Sequence, residues 1–206
     1  MKGSGRGNGL GEVNAHDGVN GLGLVNGLAS ENARSSMNAH HSVNRLRLLA
    51  HGRWPEPGDT ELPRLPGFTD SPFNPLVVAA AERCLHAWGR ELPGRTGLLL
   101  TSASGDLGTA RAINEAAGSG RRVPPLLFFQ SNPNAVLGHL AARWSLTGPV
   151  VATSPPAAVP GEVPTDALEL ASLLLADDEA DQLLVIAAEQ ADPADPGRAV
   201  AVLLTA

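Results

Sequence analysis

From residue 43 to residue 206 the chain alternates between two kinds of apolar segment. Short runs rich in Val, Leu and Ala have the length and composition of strands, and they occupy residues 43–52, 96–101, 149–153, 182–190 and 197–206. Longer segments with helical spacing separate the first four of these runs, and the last two runs follow each other directly. This order predicts an α/β fold with a mixed five-stranded sheet and helices on both faces.

The four helical segments span residues 73–89, 106–120, 131–146 and 163–181. Three of them begin beside a side chain that favours the N-cap position. Asp106 is the expected N-cap of the second helix and Thr165 that of the fourth. For the third helix, Asn132 and Asn134 are both candidates. A loop rich in proline and glycine is predicted for residues 54–75, between the first strand and the first helix.

The N-terminal residues depart from this pattern and carry an asparagine at every sixth position, from Asn8 to Asn44. A six-residue period is typical of left-handed β-helices, but this run would form only about two coils, too few to bury a core. Its glycine and asparagine content also makes ordering costly in entropy. We therefore expect a disordered tail over residues 1–42, with its histidines in solvent, and a folded domain over residues 43–206.

Charge and cysteine content exclude several classes of function. The net charge is −6, and because the charges of residues 1–40 cancel, the folded part carries all of it. A nucleic-acid surface needs clustered Lys and Arg and is not expected. Cys84 is the single cysteine, which fits a reducing cytoplasm. Since the chain has neither a secretory signal nor an apolar run of ~18 residues, we expect a cytoplasmic protein without membrane contact.

One stretch, PNAVLGHLAARWSLTGPVVATSP, resembles the N-terminal half of β-ketoacyl synthases, members of the thiolase-like superfamily. In that family a helix with a Gly-His pair precedes an Arg-x-x-Leu-x-Gly-Pro turn and a strand that leads to the nucleophilic cysteine. The matching residues here are Gly138, His139, Arg143, Leu146, Gly148 and Pro149. The segments GLLLTSASGDLGTAR and DALELASLLLADDEADQLLVIAAEQ resemble the strands and helix on either side. The resemblance covers residues 43–206 and is strongest to short ketosynthase-like N-terminal-domain proteins.

The departures from this family concern its catalytic groups. At the family's usual spacing the nucleophile falls at Ala157, which has no group to form a thioester. Pro155 and Pro156 lack the backbone N–H donors that help to form an oxyanion hole. The chain also ends before the family's second half, which supplies two catalytic histidines. The resemblance therefore implies a ketosynthase-like protein with no catalytic residues of its own.

The other candidate groups fit structural roles better than chemical ones. Cys84 lies in the middle of a helix on its apolar face, away from any helix N-terminus that could lower its pKa. In the resembling family His139 is a structural helix histidine. The acidic residues 177–181 are typical of a solvated helix end and lack the spacing of a calcium loop. We expect neither a metal nor another cofactor.

An enzymatic alternative uses Ser102 or Ser104, which stand where a strand turns into a helix. A serine there could act in an acyl hydrolase or acyltransferase. The hydrolase elbow G-x-S-x-G, however, requires a glycine at the position of Ser102, and no Asp-then-His order follows. A third alternative is a decayed remnant of a ketosynthase that keeps its fold without a role.

The resemblance also implies a partner and an interface. In the family the strand equivalent to residues 149–153 pairs with its mate across a dimer. Val150, Val151 and Ala152 are uninterruptedly apolar and precede Thr153, as in a strand buried on both faces. We expect these four residues to contact a full-length ketosynthase or a second copy of this chain. An acyl carrier protein, being acidic, would be engaged only indirectly, through the partner.

Overall fold

Five strands and five helices make up the described part of the chain, residues 46–92 and 94–206 of a computed structural model. In chain order they are β1 (Arg47–Trp54), α1 (Phe73–Trp88), β2 (Thr96–Thr101), α2 (Leu107–Gly118), α3 (Pro125–Ser131), α4 (Pro133–Trp144), β3 (Val150–Thr153), α5 (Thr165–Ala176), β4 (Gln182–Glu189) and β5 (Arg198–Thr205). The tail expected over residues 1–42 lies outside the described residues.

The five strands form one mixed sheet in the order β1-β5-β4-β2-β3. β2 is parallel to both β3 and β4, whereas β5 is antiparallel to β4 and to β1. Thr101 of β2 is level with Thr153 of β3 and Ala187 of β4, so the carboxyl ends of the three parallel strands meet at one edge. The predicted mixed five-stranded sheet is confirmed.

Each face of the sheet has its own apolar core. On one face α1 and α4 pack against β2, β4 and β5, with Leu76 and Leu137 fully buried. On the other face α5 packs Ala171 against Leu99 and Val185. Every residue of β2 and β4 is buried, as expected for strands covered on both faces. The expectation of helices on both faces is therefore confirmed.

The predicted N-cap residues are correct for two helices and wrong for a third. The Asp106 carboxylate accepts a hydrogen bond from the Thr109 N–H at 2.9 Å, and Asn132 caps α4 through the Asn134 N–H at 3.0 Å. The expected Thr165 cap is wrong. Pro164 takes the N-cap position in an extended conformation, and Thr165 is already the first helical residue.

Two further expectations need correction. The short helix α3 was not expected, because its sequence PLLFFQS has no apolar stripe and leaves large apolar side chains exposed. β3 is not buried on both faces within this chain: Val150 is 42% exposed and the other three residues are half-buried. The reason is topological, since β3 is the last strand of the sheet and only β2 lies beside it.

Candidate functional site

The outer edge of β3 is the first feature of the candidate site. Gly148 brings β3 against β2, because a side chain there would collide with the Gly97 backbone N at 2.5 Å. Pro149 O then accepts a hydrogen bond from Leu98 N at 2.8 Å, and Thr153 O accepts one from Ser102 N at 3.2 Å. The match of Gly148 and Pro149 to the ketosynthase pattern thus corresponds to a structural role in docking the strand.

The hydrogen-bond pattern leaves half of the β3 backbone without a neighbouring strand. Because the carbonyls of Pro149 and Thr153 point toward β2, the alternation of a parallel ladder directs the N–H and C=O groups of Val150 and Ala152 to the opposite side. The Ala152 side chain packs toward α1 and α4, and that of Val151 packs toward α5. The strand is therefore supported on both faces and open along its edge.

Ala157 lies in the irregular segment that follows β3. Its side chain is exposed, and the next helix begins only at Thr165, eight residues later. Pro155 and Pro156 have no backbone N–H, so neither can donate a backbone hydrogen bond near Ala157. The expected nucleophile position therefore has neither a reactive side chain nor a helix N-terminus beside it.

The two candidate serines belong to the turn between β2 and α2, where their hydroxyls hold the backbone. Ser102 Oγ accepts a hydrogen bond from Gly105 N at 2.9 Å. Ser104 Oγ accepts one from Gln190 N at 2.9 Å and donates to Gly105 O at 3.2 Å. Among the contacts of the described residues, no histidine hydrogen-bonds to either serine. Over residues 46–92 and 94–206, neither hydroxyl therefore has a histidine base within hydrogen-bond distance.

Glu189 is a functional-looking residue that sequence reasoning missed. It ends β4, is only 7% exposed, and its carboxylate accepts hydrogen bonds from Ala103 N and Ser104 N. These N–H groups would otherwise form an anion-binding turn. The available signal was a Glu-Gln pair at the end of a buried strand, at the edge of the sheet where β2 also ends. Because the Glu189 carboxylate accepts hydrogen bonds from both N–H groups, they are not available to bind a substrate oxyanion.

The remaining candidates have structural roles. Burial raises the pKa of the Cys84 thiol to about 12. The His139 and Phe68 rings form a T-shaped pair, with ring centroids 6.2 Å apart. Arg95 donates to the carbonyl of Asp178 and from its backbone to the Asp181 carboxylate, both at 2.6 Å, which gives the acidic segment a structural partner.

The described residues form neither a cluster of metal ligands nor a membrane-spanning helix. Over residues 46–92 and 94–206, no three His, Cys, Asp or Glu side chains come together as metal ligands. In the same ranges no helix has the length and apolar character needed to cross a membrane.

Comparison with solved structures identifies the fold. A chain of the ketosynthase–chain length factor complex from Xenorhabdus doucetiae matches with a TM-score of 0.56 and 18% identity, over 78% of both chains. The ishigamide ketosynthase/chain length factor matches with a TM-score of 0.58 and 20% identity, over 73% of this chain and 48% of its own. A β-ketoacyl synthase from Burkholderia phymatum matches with a TM-score of 0.57 and 16% identity, over 78% of this chain and 59% of its own.

These similarities show that the chain has an α/β fold like that of the ketosynthase structures. It spans about half of the second structure's chain and under two thirds of the third's. No protein-family model matches the sequence, and no curated protein matches it either.

Proposed function

We propose that this chain is a non-catalytic, ketosynthase-like subunit that supports polyketide, polyene or fatty-acyl biosynthesis as the partner of an active ketosynthase. The observation that carries the proposal is the open apolar edge of β3, held in place on a ketosynthase-type fold. Two of the similar structures are described as a ketosynthase together with a chain length factor. A chain of this fold with an available sheet edge suits a partner role.

The residues after β3 support the non-catalytic part of this proposal. A condensing enzyme of this fold needs a nucleophile at the start of a helix, whereas Ala157 is an exposed alanine in an irregular segment. Cys84 cannot replace it, because the thiolate is the reactive form and burial keeps this thiol protonated at neutral pH. Ser102 and Ser104 are engaged in the β2–α2 turn. The acyl chain would therefore be carried by the partner.

The β3 edge favours a partner strand over solvent. The N–H and C=O groups of Val150 and Ala152 form a ready template for strand addition. No charged residue interrupts residues 149–153, and an exposed strand of this kind is an aggregation hazard unless it is covered. A second strand aligned along β3 would extend the sheet and bury Val150.

The charge favours a ketosynthase over a second copy as the partner. Two copies would join chains that each carry −6, and neither would contribute a nucleophile. The same acidity disfavours direct docking of an acidic acyl carrier protein, which the ketosynthase partner would bind instead. A reducing cytoplasm is the compartment that suits a chain with one buried, free cysteine.

The proposal is tested by activity with and without the partner. The chain alone, incubated with acyl thioesters and malonyl-loaded carrier protein, should give no product and no mass increase on intact-mass analysis. A fluorophosphonate probe should leave Ser102 and Ser104 unlabelled. Adding an intact ketosynthase of the chain length factor-dependent kind should give a stable complex. An acyl adduct on Cys84 or a labelled serine would contradict the non-catalytic role, and failure to bind any such ketosynthase would contradict the partner role.

A further inference from the structure

We infer that two copies of this chain form a symmetric dimer through the face of the sheet that carries α5, with α5 of each copy lying on strands β1 and β5 of the other. Among residues 46–92 and 94–206, α5 is the single helix whose side chains pack on this face, and it contacts β4 and β2. The dimer uses the end of the sheet opposite to β3. The inference is therefore independent of the proposed function.

The part of this face that α5 leaves open has the width of one helix. Neighbouring strands are about 4.8 Å apart, and a helix with its side chains is about 10 Å wide, so one helix covers two strands. Since α5 covers β4 and β2, the strands left beside it are β5 and β1. Their side chains on this face form the β1–β5 strip, which consists of Leu48, His51 and Arg53 of β1 and Arg198, Val200 and Val202 of β5.

The register of β1 and β5 places these side chains on the α5 face. Val202 packs against the α5 core and is level with His51. Gly52 faces α1 instead, because a side chain there would meet Ala80 O at 2.6 Å. Leu48 is 55% exposed and Val202 is half-buried. The strip is thus a partly apolar depression beside α5 that no helix of the described residues covers.

The outward side of α5 is apolar as well. Ala167 and Ala171 are buried against the sheet, whereas Leu173 is 55% exposed, and Leu170 and Leu174 are half-buried. A surface helix of a monomer has a polar outward side, and a helix that is apolar all round belongs in a core. α5 therefore has the surface of a helix that packs between two layers.

Charge identifies α5 of a second copy as the matching cover for the strip. α5 carries two acidic residues, Asp166 and Glu169, and no basic one, whereas the strip carries Arg53 and Arg198 and no acidic one. Arg53 lies 3.9 Å from Glu56, an exposed pair of little energetic value. The net charge of −6 opposes association, but it is screened beyond about 8 Å at physiological ionic strength. Unlike the uncharged β3 edge, this face offers opposite charges at contact.

A twofold axis parallel to the strands joins the two faces. It turns one sheet toward the other and places α5 of each copy in the strip of its mate, so both contacts are the same. Such an axis keeps every residue at its own level along the strands. α5 ends at Ala176, close to the start of β4, so Leu173 lies near the level of Leu48. Glu169 is about 6 Å further along α5 and lies near the level of His51.

Light scattering of the full chain alone tests the dimer. The unmodified chain should have twice the mass of one chain, and Leu173→Glu should raise the dissociation constant at least about tenfold by burying an unpaired charge. Leu126→Glu makes the same change at an exposed leucine of α3 and should dimerise normally, as should Val150→Asp at the β3 edge. A dimer that Val150→Asp dissociates and Leu173→Glu does not would overturn the inference. So would a monomeric full chain, and a dimer that forms only after deletion of residues 1–40 would mean that these residues cover the face instead.

A charge exchange tests the arrangement of α5 on the strip. Glu169→Arg and His51→Glu should each weaken the dimer at least about tenfold, because each places like charges opposite one another. Mixing the two variants should restore the dimer, since the new arginine of one chain then faces the new glutamate of the other. Both positions lie on the surface of one chain, and unchanged melting temperatures confirm folding. A mixture that stays monomeric while the unmodified chain dimerises would show that α5 does not lie on the strip.

Discussion

The carboxylate of Glu189 holds the backbone of Ser104: Glu189 Oε2 lies 2.8 Å from Ser104 N, and Oε1 lies 2.7 Å from Ala103 N. The two residues are 85 positions apart in the chain and meet because β2 and β4 are parallel neighbours. Glu189 thereby fixes the turn that begins α2 and occupies the two backbone N–H groups of this turn.

Glu189→Gln should lower the free energy of unfolding by about 2 kcal/mol, because the neutral amide loses one of two charge-assisted hydrogen bonds at a buried position. Urea denaturation measures the change. Glu162→Gln removes a charge from an exposed loop residue and should change stability by less than about 0.5 kcal/mol. If the two variants are equally stable, Glu189 does not organise the turn.

An ion pair between α1 and the preceding loop predicts a pH dependence. Asp59 accepts two hydrogen bonds from the Arg83 guanidinium, both at 2.6 Å, and these lower the pKa of Asp59. When the pKa of a carboxyl group is lower in the folded than in the unfolded state, its ionised form stabilises the fold at pH values above the unfolded-state pKa. This contribution is lost as the pH falls through the folded-state pKa.

Asp59→Asn should therefore lower the melting temperature at pH 7, and the difference from the unmodified chain should shrink as the pH falls below about 4. Calorimetric melting across this range gives the result. The matched control, Asp177→Asn, removes an exposed carboxylate at the end of α5 and should melt like the unmodified chain at both pH values. A difference for Asp59→Asn that grows in acid would refute the sign of the effect.

The asparagine repeat leads to a prediction about the N-terminal residues. Their low apolar content gives them little to contribute to a core, so deletion of residues 1–40 should change the melting temperature by no more than about 2 °C. Circular dichroism of the full and truncated chains makes the comparison. A large decrease would mean that the repeat packs on the domain.

The sequence predicts this fold well wherever the pattern is local. The segment over residues 96–101 has three consecutive leucines at its centre, and the structure has β2 at Thr96–Thr101. The Asp106 cap needs only the Thr109 N–H three residues later. α3 is not predictable in the same way, since prolines flank its seven residues and Leu126, Phe128 and Phe129 point outward.

The site depends on contacts that no local pattern contains. The Ser104 hydroxyl accepts a hydrogen bond from Gln190 N, and the Glu189 carboxylate accepts one from Ser104 N. These partners are 86 and 85 residues apart in the sequence. The exposure of Val150 follows from the place of β3 in the strand order, whereas its apolar sequence suggests burial. The interface and its partner therefore stay predictions.

The molar mass of a mixture with an intact ketosynthase, measured by size exclusion with light scattering, tests the central claim most directly. The unmodified chain should elute as a complex, whereas Val150→Asp and Val151→Asp should leave the two proteins apart, because each buries an unpaired charge at the β3 edge. Thr147→Asp, outside the strand, should still bind. Melting curves identify any variant that fails to fold. Of the two substituted positions in β3, Val150 is the more exposed. A chain that stays a soluble monomer beside the ketosynthase, or β3 variants that bind like Thr147→Asp, would contradict the account.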